Sequence, residues 1–98
     1  MSILKTNRRN FDPDALKKSA QRHKNNIQIF RGTIKKEQAF IDHFEYVISQ
    51  INPDHPDVKM LEQNIKKIKN NILTFEKAIS DEKDLIEKEL ALAKKLDP

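Results

Sequence analysis

Apolar side chains recur at intervals of three and four residues through most of this sequence. In the second half they stand at Val58, Leu61, Ile65, Ile68, Ile72, Phe75, Ile79, Ile86, Ala93 and Leu96. A repeat of this kind places one apolar stripe along a helix. The stripe persists across the charged segment 80–84, because Ile79, Ile86 and Ala93 remain seven residues apart. The pattern predicts one long helix over residues 56–96.

The first half of the chain carries a matching stripe. Its members are Leu16, Ala20, His23, Ile27, Phe30, Ile34, Glu37, Ile41, Phe44, Ile48 and Ile51. Asp12 suits a helix N-cap, Pro13 suits the first helical position, and Phe11 with Leu16 can close a hydrophobic staple across that cap. These signals predict a helix over residues 13–51. Gly32 lies inside it and costs about 1 kcal/mol relative to alanine, so a slight bend is expected there.

Residues 52–57 separate the two stripes and contain Pro53 and Pro56, which disfavour helix at the residues before them. They predict a turn over residues 52–56. Two long helices joined by so short a connection pack antiparallel. The expected fold class is therefore all-α, a coiled-coil-like two-helix hairpin over residues 12–98, preceded by a basic arm at residues 1–11.

The turn also predicts which seam residues face each other. Pairing Ile51 with Val58 places Phe44 against Ile65, Phe30 against Ile79 and His23 against Ile86. The polar seam residues His23, Glu82 and Glu89 then lie at the open end of the hairpin. We expect the half near the turn to be dry and tightly packed and the open half to be looser.

A second apolar row flanks the seam. It contains Phe40 and Val47 on the first helix and Leu85 and Leu92 on the second. A stripe that widens in this way is typical of bundles with more than two helices. The row predicts a homo-oligomer, with two head-to-tail hairpins forming a four-helix bundle. In the alternative interpretation these residues only thicken the seam of a monomer.

Composition narrows the class of protein. The chain has 98 residues, one glycine and no cysteine, which excludes a disulfide framework and a thiolate metal site. No segment resembles a signal peptide or is apolar enough to cross a membrane. We therefore expect a cytoplasmic protein with no membrane partner, located in the host cytoplasm or the virion if a phage encodes it.

Charge is distributed unevenly along the chain. Residues 1–36 hold ten Lys or Arg and two Asp, a net +8, whereas residues 37–98 hold nine basic and thirteen acidic residues, a net −4, which together give the overall +4. Such a basic segment suits a polyanionic partner. The candidate phosphate-contacting residues are Arg8, Arg9, Lys17, Lys18, Arg22, Lys24, Arg31 and Lys35.

The sequence offers no motif for catalysis, cofactor binding or metal binding. Asp42-His43 and the segment 54–57 contain metal-ligating residue types, but neither has two His at the i and i+4 spacing of a helical zinc site. His23 is expected to be an interhelical hydrogen-bond partner of Glu82 and Glu89 rather than a ligand-binding group. We expect no catalytic residue, no cofactor and no metal.

Three functions remain, in order of preference. The first is a non-enzymatic interaction protein that occupies a protein surface on a larger assembly, such as a small phage-type inhibitor or an assembly component. The second is a nucleic-acid-associated protein whose basic first third follows the phosphate backbone without reading sequence. The third is a sponge for small anionic ligands such as nucleotides, held near Arg22, His23, Lys24 and Arg31.

Overall fold

The computed structural model of the chain describes residues 12–96. Two helices, α1 (Pro13–Gln50) and α2 (Pro56–Leu96), make up nearly all of this segment, and it contains no strand. They form an antiparallel helical hairpin, which confirms the predicted all-α fold class. α1 ends one residue before the expected Ile51, which lies in a bend. The basic arm at residues 1–11, with Arg8, Arg9 and Phe11, lies outside the described residues.

Side-chain caps define the start of each helix. The backbone N–H of Asp14 donates to Asp12 Oδ1 at 3.2 Å, and that of Leu16 donates to the Asp12 carbonyl at 3.0 Å. At the turn, the N–H of Asp57 donates to His55 Nδ1 at 3.0 Å. His55 therefore caps α2 in the way that Asp12 caps α1. The sequence pattern indicated the first cap and missed the second.

The paired helices divide into two compact units. We call Ile29–Lys77 the turn unit and the described residues 12–28 and 78–96 the terminal unit. The core of the turn unit is a cluster of buried Ile41, Ile65 and Ile72, against which partly buried Ile34, Phe44, Ile48 and Ile68 pack. All of these residues belong to the predicted stripes. The seam of this unit is therefore apolar except at Glu37, a half-buried member of the α1 stripe.

An aromatic pair in the turn unit departs from the simple layer scheme. The scheme placed Phe30 opposite Ile79, and within the turn unit the centroid of the Phe30 ring lies 5.9 Å from that of Phe75, one helical turn before Ile79 on α2. In a helical seam a side chain fits a hole formed by several residues of the facing helix. A scheme that pairs each seam residue with a single facing residue therefore misses contacts such as the one between the Phe30 and Phe75 rings.

The terminal unit has smaller buried side chains. Its buried residues are Ala20, Ile27, Ile79 and Ala93, and the seam residues His23, Glu82 and Glu89 are partly buried. Leu96 belongs to the predicted stripe but is exposed. It is the last residue of α2.

Candidate functional site

A polar cluster interrupts the seam of the terminal unit. His23 Nδ1 is in hydrogen-bonding contact with Glu82 Oε2, and His23 Nε2 lies 3.2 Å from Glu89 Oε1. Ser19 Oγ donates to Glu89 Oε1 at 2.9 Å, and Asn26 Nδ2 donates to Glu82 Oε1 at 3.3 Å. The side chains of His23, Glu82 and Glu89 are 21%, 17% and 20% exposed, so all three are largely withdrawn from water. We call these five residues the polar cluster.

The geometry of the polar cluster suits a structural hydrogen-bond network. A neutral imidazole has one donor and one acceptor, whereas the doubly protonated ring can donate to both carboxylates at once. The contacts confirm that His23 is an interhelical hydrogen-bond partner of Glu82 and Glu89. Because both ring nitrogens face carboxylates, the ring offers neither of them to an anionic ligand. This weakens the nucleotide-sponge hypothesis, which used His23.

Metal-ligating side chains do not converge elsewhere in residues 12–96. No group of three or more His, Asp or Glu side chains in that segment could hold a metal ion. His43 and Asp42 are exposed neighbours on α1, and the ring of His55 accepts the backbone hydrogen bond that caps α2.

The candidate phosphate-contacting residues within the described segment are all exposed. They are Lys17, Lys18, Arg22 and Lys24 in the terminal unit and Arg31 and Lys35 in the turn unit. At about 100° per residue, Lys17 and Lys24 share one side of α1, whereas Arg22 lies roughly 160° around the helix from Lys24. A single phosphate backbone cannot follow both sides of one helix. By the same count Arg31 and Lys35 fall within about 40° of Lys17 and Lys24, so four of the six cations lie along one side of α1 and Lys18 and Arg22 lie on another.

The second apolar row is only partly covered. Phe40 and Leu85 are exposed, whereas Val47 and Leu92 are half-buried. The Phe40 ring stacks on that of Phe44 at a centroid distance of 6.4 Å. It also borders a shallow depression lined by Lys36, Ala39 and His43. These row residues therefore contact the seam on one side and leave apolar surface open on the other.

Three large apolar side chains of the turn unit point away from the seam. Ile29, Tyr46 and Leu73 are 64%, 63% and 62% exposed. Met60, which the sequence interpretation did not single out, is also exposed in this unit, and Leu90 is exposed in the terminal unit. Both residues lie off the three-and-four repeat, and this position in the sequence was the signal that their side chains would be exposed. Single exposed apolar residues are ordinary on protein surfaces, and we name these three only as the candidate protein-contact residues of the turn unit.

The contributions of Ser19 and Asn26 to the polar cluster were also missed. They lie four residues before and three residues after His23, which places them on the same side of α1. That spacing was the signal that could have identified them as donors to the two glutamates.

Neither helix has a stretch long and apolar enough to cross a membrane among the residues that the structure describes. Comparisons with protein-family models, with curated proteins and with solved structures find no match for this chain.

Proposed function

We propose that this chain is a non-enzymatic interaction protein, a helical hairpin that binds a protein surface on a larger assembly. The observation that carries the proposal is the exposure of Ile29, Tyr46 and Leu73, which lie outside the apolar core of the turn unit. A small phage-type inhibitor and an assembly component both fit this description.

Burial of these side chains would supply the free energy of binding. Covering a large apolar side chain contributes about 1.5–3 kcal/mol. Tyrosine is also among the residues enriched at the energetic centres of protein interfaces, because its ring is large and rigid and its hydroxyl can hydrogen-bond. Tyr46 is therefore the residue that we expect to contribute most.

The experiment is capture of partners from extracts of the source cell, with and without nuclease. The test variant combines Ile29→Ser, Tyr46→Ser and Leu73→Ser. The matched control replaces three exposed polar residues of the same helices, Gln28→Ser, Gln63→Ser and Asn70→Ser. We expect a defined protein partner that survives nuclease, is retained by the control and is lost with the test variant. Loss of all partners on nuclease treatment would contradict the proposal.

A second candidate function is sequence-indifferent nucleic-acid association through the basic first third. It is favoured by the exposure of every candidate cation in the described segment. It is disfavoured by the placement of Arg22 and Lys24 on different sides of α1 and by the net negative charge of residues 37–98. The same nuclease comparison separates the two functions.

A further inference from the structure

One flank of the helix seam carries no charged residue. The seam residues occupy two alternating positions of a seven-residue repeat, and the residues just before one of these positions form a row along each helix. This row consists of Ser19, Asn26, Thr33, Phe40 and Val47 on α1 and of Asn64, Asn71, Ala78, Leu85 and Leu92 on α2. The corresponding residues on the other flank are Lys17, Lys24, Arg31, Gln38, Glu45, Glu62, Lys69, Glu76, Lys83 and Leu90. Eight of those ten are charged. We call the first set the uncharged rows and the second set the charged rows.

In an antiparallel pair the uncharged rows of both helices border the same side of the seam, because reversing one helix exchanges its two flanks. Contacts in the terminal unit agree with this placement. Ser19 and Asn26 belong to the α1 row, and both donate hydrogen bonds across the seam to the α2 glutamates of the polar cluster. Each unit therefore has one seam flank without charge.

The apolar members of the uncharged rows alternate between helices. In the turn unit they are Phe40 and Val47 of α1, and the α2 row there consists of Asn64 and Asn71. In the terminal unit the apolar members are Leu85 and Leu92 of α2, and the α1 row there consists of Ser19 and Asn26. With Thr33, the turn unit thus brings two large apolar and three uncharged polar side chains, and the terminal unit brings two large apolar side chains, two uncharged polar ones and Ala78.

We propose that the uncharged rows of the turn unit bind those of the terminal unit in a second copy of this chain. In this contact Phe40 and Val47 pack against Leu85 and Leu92 of the other copy, and two head-to-tail hairpins form a four-helix bundle. A two-fold axis makes the same contact twice, so the assembly closes as a dimer.

The composition of the rows favours a second copy over an unrelated protein. Asparagine and serine side chains carry both hydrogen-bond donors and acceptors. When water is excluded, those of one copy can therefore hydrogen-bond those of the other copy. Phe40 and its depression supply room beside Ala39 and His43 for an incoming leucine. The chain therefore contains both halves of the interface. Ile29, Tyr46 and Leu73 take no part in it, so self-association and partner binding can fail independently.

The first experiment measures mass by light scattering for wild type and two leucine-to-glutamate variants. Leu85 in the uncharged row is 42% exposed and Leu90 in the charged row is 38% exposed, so Leu85→Glu and Leu90→Glu are closely matched. We expect wild type and Leu90→Glu at twice the chain mass of 11.5 kDa and Leu85→Glu at the monomer mass. Circular dichroism checks that helix content is kept. If Leu85→Glu loses helix content, Leu85→Asn is measured instead, because asparagine already occurs in the uncharged rows. A monomeric wild type, or equal behaviour of both variants, overturns the proposal.

The second experiment tests the head-to-tail direction. Because the chain has no cysteine, Val47→Cys and Leu92→Cys each introduce a single thiol. With a short thiol-specific cross-linker, we expect a linked dimer when the two variants are mixed and none when either is treated alone. Cross-linking of the Val47→Cys variant to itself would place turn beside turn and overturn the proposed packing.

Discussion

The core of the turn unit depends most on Ile41, because it is the largest side chain in the described segment that is fully buried, at 2% exposure. Ile41→Ala should lower the free energy of unfolding by about 2–5 kcal/mol, through lost burial and the cavity left behind. Ile29→Ala is the matched control, since Ile29 lies on the same helix at 64% exposure. We expect a change within about 0.5 kcal/mol for the control. Urea denaturation of both variants at one protein concentration measures the difference, and equal losses would contradict the assigned seam.

His23 allows a further test at the residue scale, because its two ring nitrogens contact two different carboxylates. His23→Leu removes the hydrogen-bonding partner that Glu82 and Glu89 share and should destabilise the hairpin by about 1–3 kcal/mol. Replacing the whole set with His23→Leu, Glu82→Leu and Glu89→Leu removes the desolvated charges together. We expect this triple variant to be at least as stable as wild type, because apolar packing commonly equals or exceeds a buried ionic network.

The control for this pair of variants is Lys83→Leu, which adds an apolar side chain next to the polar cluster but outside the seam. Its stability should stay close to that of wild type. A triple variant as unstable as His23→Leu alone would show that the network itself stabilises the pairing of the helices.

At the scale of the helix, Gly32 has the lowest helix propensity of the residues inside α1. The helix continues through it, its φ is not positive, and a Cβ added there would meet nothing within 4 Å. Gly32→Ala should therefore raise the free energy of unfolding by about 1 kcal/mol through helix propensity alone. Gln28→Ala, at another exposed site on α1, should give a smaller change. Thermal or urea unfolding measures both, and a loss of stability in Gly32→Ala would indicate that the glycine is needed for a bend.

The two helices were predictable because their stripes depend on spacing alone. Every described residue assigned to the α1 stripe is buried or half-buried, and α2 departs only at its last residue, Leu96. Details that depend on side-chain shape were not predictable. The Phe30 and Phe75 rings meet because a seam side chain fills a hole between residues, and His55 caps α2 through a ring nitrogen that propensity rules do not emphasise.

The candidate site was predictable to a lesser extent. The exposure of the cations and of the outward apolar residues could be predicted from their positions off the stripe. The convergence of His23 with Glu82 and Glu89 followed from the fold of the hairpin. The spacing of the cations around α1 follows from helical periodicity, and the structure adds that all six described cations are exposed.

At the scale of the whole molecule, charge and apolar surface favour different partners. The basic first third attracts polyanions, while the acidic excess of residues 37–98 repels them. Exposed apolar side chains favour protein partners regardless of that balance. The two proposals therefore differ most clearly in their response to salt.

We expect the chain to bind duplex DNA weakly at physiological salt. The acidic excess of residues 37–98 opposes a duplex that wraps the hairpin, and the cations of α1 lie on more than one side of the helix. Fluorescence anisotropy with two duplexes of unrelated sequence, titrated over a range of salt concentrations, measures this. Replacing Lys17→Gln, Lys18→Gln and Lys24→Gln should leave helix content and capture of the protein partner unchanged, since none of these residues lies in the seam.

The opposite result has a clear signature. A protein that neutralises phosphates loses about 0.9 logarithmic units of affinity per phosphate for each tenfold rise in salt. In that case the wild type binds both duplexes tightly and its affinity falls with salt at such a slope. The three glutamine substitutions then weaken binding to both duplexes equally and reduce the slope, which would show that the cations of α1 contact the phosphate backbone. The nucleic-acid function would then replace protein binding as the better account of the chain. A shallow slope, together with loss of the protein partner on Tyr46→Ser, would instead assign the interaction to the apolar side chains of the turn unit.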